Sequence, residues 1–177
     1  SQTRMKFLPL RRKAPSRPTE VASTLSIGKV STITMKSGLT SWAAFRIGVS
    51  EEERERLTAA REPVRSRTGL LELATGRRIE VDAIADFGFS SDGAFVALKG
   101  YAPAGEREAE GVDLVVHELA TGRRTTFGNV SEFGWSDLGS FLAFAVDAEG
   151  MTGNGVQLYD AADGRLRTLD SEDTRYE

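Results

Sequence analysis

With 177 residues, 40% of them hydrophobic and 28% charged, the chain has the composition of a folded globular protein and the length to bury a core. A formal net charge of −3 singles out no class of partner, and zero cysteines with one histidine exclude disulfides, thiolate metal sites and a histidine-rich metal centre. No apolar run approaches the roughly 20 residues that span a bilayer, and Met5 to Leu10 is too short, and too soon followed by Arg11, Arg12 and Lys13, to be a signal-peptide core.

The first stretch is basic. Arg4, Lys6, Arg11, Arg12, Lys13 and Arg17 stand against Glu20 alone, and Pro9, Pro15 and Pro18 interrupt them, so residues 1–25 read as an extended, flexible tail. No aromatic stacking platform accompanies these cations, so nucleic acid is not the expected partner. Residues 26–177 read as strands and turns, with units at about 30–82, 84–129 and 130–171.

In the first unit, Ser41 to Phe45 begins a strand, and Ser50-Glu51-Glu52-Glu53 is a capping box that opens a short charged helix ending before Pro63. Leu57 is its only large apolar residue before Pro63, which places this helix on a rim. The second unit reads as strands at Asp86 to Phe89, Ala94 to Tyr101, Val112 to Leu119 and Arg124 to Phe127. Ser90 to Gly93 and Ala120 to Arg123 form its turns, and a polar loop spans Ala102 to Gly111. The third unit repeats the order with Glu132 to Trp135, Ser140 to Val146, Val156 to Tyr159 and Leu166 to Leu169, and carries a Gly-rich loop at Glu149 to Gly155. Its last stretch is acidic, with Asp160, Asp163, Asp170, Glu172, Asp173 and Glu177 after Met151.

Two landmarks share one offset. Leu73-Ala74-Thr75-Gly76-Arg77-Arg78 recurs as Leu119-Ala120-Thr121-Gly122-Arg123-Arg124, and Phe87 to Leu98 recurs as Phe133 to Phe144, both 46 positions on. A tandem repeat of four short strands at this period is the signature of β-propeller blades, so the expected fold is all-β, an incomplete propeller of about three antiparallel four-stranded units. Blades stack face to face, so Trp42, Phe45, Phe87, Phe89, Phe95, Phe133, Trp135, Phe141 and Phe144 are expected as core between units.

Chemistry is hard to place on such a repeat. The only histidine, His117, sits in a strand at the place where the preceding unit has Leu71, which marks it as a residue filling space. Gly88-Phe89-Ser90-Ser91-Asp92 lacks the second glycine of a nucleophile elbow and recurs as Gly134 to Leu138, so Ser90 reads as a strand–turn junction. Ser90 to Gly93 also departs from the sialidase Asp-box, because Gly93 follows Asp92 directly. Asn129-Val130-Ser131 matches a glycosylation sequon that chance alone produces. The expectation is no catalytic, metal or cofactor site in this chain, and no assignable substrate-binding residue.

The stretches LLELATGRRIEV, FGFSSDGAFVAL, DLVVHELATGRRTTFGNVSEFGWSDLGSFLAF and GNGVQLYDAADGRLRTLDS, in this order, resemble the N-terminal propeller of prolyl oligopeptidase-type serine peptidases, closest to bacterial dipeptidyl and acylaminoacyl peptidases. FRIGVSEEERERL, residues 45–57, is similar to them too, and the resemblance runs from Trp42 to Glu177. It implies a seven- or eight-bladed propeller paired with a hydrolase domain that carries a Ser-Asp-His triad, none of which maps onto this chain. It also implies a parent serine peptidase, periplasmic or secreted, whose propeller gates peptide access. The alternative is a stand-alone propeller-like module for protein partners. Three units leave open faces, so the expected partners are further blades and a hydrolase domain of the parent, or a second copy; neither membrane nor nucleic acid is expected.

Overall fold

The computed structural model describes residues 33–36, 42–102, 111–148, 150, 152–172 and 174. The basic tail at 1–25, most of the 102–111 loop, and Glu149 and Met151 of the Gly-rich loop lie outside these residues. Among the described residues no helix is long and apolar enough to cross a membrane.

Unit one is an antiparallel sheet of β1 (Ile33–Lys36), β2 (Trp42–Ile47), β3 (Arg67–Glu72) and β4 (Arg78–Val81), in that spatial order. Helix α1 (Glu51–Ala59) joins β2 to β3 and buries none of its residues. Only half of the capping box forms. Ser50 Oγ accepts the N–H of Glu53 over 3.1 Å, but the Glu53 carboxylate turns to Arg56, 2.8 Å away.

Unit two comprises β5 (Ile84–Phe89), β6 (Phe95–Gly100), β7 (Val112–Glu118) and the first half of β8 (Arg124–Trp135). Unit three uses the second half of β8, then β9 (Phe141–Val146), β10 (Gly155–Asp160) and β11 (Arg165–Asp170). All pairings are antiparallel between sequence neighbours, which gives the all-β, propeller-type blade architecture that the repeat predicts.

Sequence reading expects one strand to end at Phe127 and another to start at Glu132. Instead β8 continues through both, pairing with β7 from Arg124 to Val130 and with β9 from Val130 to Trp135. The passage turns on Asn129, held at φ 57°, whose carbonyl accepts the N–H of Asp147 over 2.7 Å. Ala83 stands 46 residues earlier with φ 56°, and its carbonyl accepts Tyr101 N–H over 3.2 Å. Both units thus hand over to the next through one left-handed residue, a backbone conformation that asparagine tolerates better than alanine.

Hairpin chemistry repeats as closely. Glu118 Oε2 accepts from the Thr121 hydroxyl (2.7 Å) and from Arg123 Nε (3.1 Å), around a turn in which Gly122 takes φ 79°. Glu72 does the same for Thr75 (2.6 Å) and Arg77 (3.2 Å), with Gly76 at φ 75°. In unit three Asp160 replaces the glutamate and accepts the N–H groups of Ala162 and Asp163. A carboxylate at the strand end and a residue free to adopt positive φ are what close these turns.

The strand period of two sends alternate residues to opposite seams. Trp42, Ala44 and Leu70 of unit one pack with Ile84, Phe89, Val96, Leu98 and Leu119 of unit two. The other face of unit two offers Phe95, Ala97, Leu114 and Val116 to Val130, Leu142, Phe144, Tyr159 and Ala161 of unit three. Phe127 completes this second seam, its ring 4.7 Å from that of Phe144 and 4.9 Å, edge-on, from Tyr159.

Candidate functional site

Polar groups lock the two seams at matching places. Arg46, in the second strand of unit one, donates to the carbonyl of Ala85 in the first strand of unit two. Lys99, in the second strand of unit two, donates to the carbonyl of Ser131 in the first strand-half of unit three. Ala85 and Ser131 lie 46 residues apart, and Arg46 and Lys99 each occupy the fifth position of their strand. The fifth position of β9 is Ala145, so unit three presents no cation there. At seam one Arg77 also lies over Trp42, 5.1 Å from the ring centre, and donates to the Leu119 carbonyl over 3.2 Å. At seam two Trp135 Nε1 donates to the Gly88 carbonyl over 2.9 Å, and Ser91 Oγ to the Gly139 carbonyl over 2.7 Å.

The two side chains weighed in the sequence for nucleophilic chemistry, His117 and Ser90, are both bound into this framework. His117 is 3% exposed, accepts Arg124 Nε–H at Nδ1 over 3.1 Å, and keeps a buried Nε2 with no hydrogen-bond partner among the described residues. Burial first, then the charges of Arg124 and Arg77, push its pKa below the ordinary imidazole value. His117 is therefore a neutral residue of seam one, facing Arg124 across the ladder as Leu71 faces Arg78 in unit one. Ser90 is fully buried; its hydroxyl donates to Asp92 Oδ1 and accepts the N–H of Phe95 over 3.0 Å. Asp92 also accepts Ala94 N–H over 3.1 Å, so the Ser90–Gly93 segment is a braced turn. Among the described residues no three His, Asp or Glu side chains gather as metal ligands would.

What stands out is the far face of unit three. In unit two Phe95, Ala97, Leu114 and Val116 are at most 5% exposed under unit three. By register their counterparts in unit three are Phe141, Ala143, Val156 and Leu158. Phe141 is 42% exposed and the other three are half-buried. The expectation of core packing thus holds for Trp42, Phe89, Phe95 and Phe144 but not for Phe141, because among the described residues no further unit packs on that face as unit three packs on unit two. A groove of about 780 Å³ runs there between Phe141, Leu158 and Leu166, edged by Asp160, Arg165 and Arg167. Gly134 tells the same story: a Cβ there would meet nothing within 4 Å, whereas at its counterpart Gly88 it would meet Trp135 at 3.5 Å.

Sequence reading expected open faces at the ends of the three units but placed Phe141 in the core between units, since Phe141-Leu142-Ala143-Phe144 has the same pattern as its buried counterpart. The cation recurring at the fifth strand position is the signal that could have revealed the seam bonds.

No protein-family model matches the chain, and no curated protein matches it. Several solved structures are similar in fold, among them two protease structures. One is the tricorn protease, with 17% identity and a TM-score of 0.47 over 81% of this chain and 13% of that one. The other is the β-propeller domain of the Trilobed protease from Pyrococcus furiosus, with 10% identity and a TM-score of 0.46 over 77% of this chain and 42% of that one. The chain thus spans less than half the length of either.

Proposed function

We propose that this chain is a non-catalytic propeller segment of a prolyl oligopeptidase-like serine peptidase, where it restricts the entry of peptides to a separate hydrolase domain. The observation that carries the reading is the far face of unit three, where residues in the places of a buried seam are left open for more of the same propeller. The order and spacing of the repeat motifs supply the link to that peptidase family. His117 and Ser90 are committed to structural hydrogen bonds, which is the state expected of a segment that leaves the chemistry to another domain. The exposed groove at Phe141 also favours a second reading, a propeller-like module that binds protein partners without any hydrolase.

The coding sequence beyond Glu177 separates the two. A G-x-S-x-G followed by Asp and His supports the peptidase; blades alone, or a stop, supports the module. In the parent enzyme, Lys99→Met should loosen seam two and raise cleavage of long peptides several-fold, with short chromogenic peptides turned over at an unchanged rate. Equal changes for both substrate lengths would remove the gating role.

A further inference from the structure

We infer that the far face of unit three is covered by one further four-stranded blade, and that this blade sets a carboxylate against Arg167. The inference rests on the reading of the chain as a propeller segment and names the chemistry of its missing neighbour.

Continuity with the two seams already formed identifies the occupant. Among the described residues, both apolar seams are formed with the next unit of the repeat, through the same ladder positions. On the open face Phe141, Ala143, Val156 and Leu158 repeat the apolar row that unit two buries. Gly134 leaves beside them the space that Trp135 fills at Gly88, so the first strand of the neighbour suits an aromatic side chain at that place.

Two departures from the earlier seams specify the rest. Arg167 pairs with Leu158 in register just as Thr125 pairs with Val116, and Thr125 lies 3.3 Å from the Tyr159 hydroxyl across seam two. A covering blade would therefore meet Arg167 with the residue in the place of Tyr159, the one before the acidic end of its third strand. Closing the seam takes water from the guanidinium, and a charge buried without a partner is strongly unfavourable. Asp163 lies 3.5 Å from Arg165, whereas among the described residues no carboxylate pairs with Arg167. An acidic residue in the neighbour resolves this, with the bidentate geometry that arginine offers a carboxylate. Ala145 points the same way. With no cation at the fifth position of β9, the third seam lacks the bond made by Arg46 and Lys99, and the Arg167 pair is the polar lock in its place.

The test uses both the intact parent protein and the 177-residue chain. Arg167→Glu should lower the Tm of the parent by about 5 °C or more while moving that of the isolated chain by less than about 1 °C, and Arg167→Gln should give an intermediate shift. Replacing the acidic residue at the Tyr159 place of the next unit with Arg should restore most of the loss in the Arg167→Glu background. A neighbour without an acid at that place, no restoration, or an unchanged parent Tm would overturn the inference. So would a 177-residue chain that sediments as a dimer and becomes monomeric with Phe141→Arg, which would make a second copy the occupant. The hydrolase motif is read separately. If that motif is present and rescue fails, the inference alone falls; if rescue succeeds and the motif is missing, the peptidase reading alone falls.

Discussion

Trp135 donates its indole N–H to the carbonyl of Gly88 over 2.9 Å, joining the first strand of unit three to the first strand of unit two. The same indole lies near-parallel to Phe95, with ring centres 6.4 Å apart. Trp135→Phe keeps an aromatic ring and deletes the donor, so the half-buried Gly88 carbonyl loses its partner across the seam. The expected loss is about 1–2 kcal/mol, read as a lower urea midpoint with an unchanged slope. A midpoint equal to that of the wild type would mean that water replaces the indole without penalty.

The cations that cross the seams should matter more than their distance from any active site implies. Lys99→Met and Arg46→Met each remove a charge-assisted bond to a backbone carbonyl while keeping much of the apolar stem. Each is expected to lower stability by about 1.5–3 kcal/mol. Ala145→Lys, which installs the cation on the open face, should change the isolated chain by less than about 0.5 kcal/mol. Chemical denaturation of the three variants side by side checks the contrast.

His117 gives the molecule a defined acid sensitivity. Its folded-state pKa lies below its ordinary value near 6.5, so between those two values the unfolded chain binds the proton more readily than the folded one. Stability is then complete above about pH 6.5 and falls as the pH drops toward the folded-state pKa. His117→Leu should flatten this window and change stability at pH 8 by no more than about 1 kcal/mol, since it removes an unpartnered buried nitrogen together with the bond to exposed Arg124. Thermal melts from pH 8 to pH 5 on both proteins give the comparison; parallel curves would show that another group governs the acid limb.

Ala83 at φ 56° carries a strain that glycine does not feel. Ala83→Gly should raise stability by about 0.5–1 kcal/mol, because relief of the left-handed penalty exceeds the added freedom of the unfolded chain. Ala83→Val, branched at Cβ, should cost more than that. Equilibrium unfolding of the pair decides, and a destabilised glycine variant would mean that the strain is not released at this position.

The repeat offset, the hairpin turns and the helix start were legible because each rests on local chemistry: Gly76 and Gly122 in tight turns, Ser50 at a helix N-terminus. What local pattern could not convey was which apolar strand face is covered. Phe95 and Phe141 sit in near-identical sequence, yet one is 5% and the other 42% exposed, because burial depends on what packs next. The seam cations escaped notice for a related reason. Arg46 and Lys99 differ in residue type and read as ordinary solvated charges at strand ends, and only the third dimension brings them to a carbonyl some 30–40 residues away. The continuity of β8 was hidden by Asn129, whose composition signals a turn while its left-handed backbone in fact keeps the strand going.

That continuity has a mechanical consequence. Because β8 contributes hydrogen bonds to the sheets on both of its sides, unit three cannot peel away without drawing on the strand that edges unit two. Between units one and two the ladder is interrupted at Asp82 and Ala83, so no shared strand transmits load there. Under tension applied to the chain ends, residues 84–170 should therefore yield in a single force peak and release roughly 300 Å of contour at about 3.4 Å per residue. Unit one should lengthen in a step of its own.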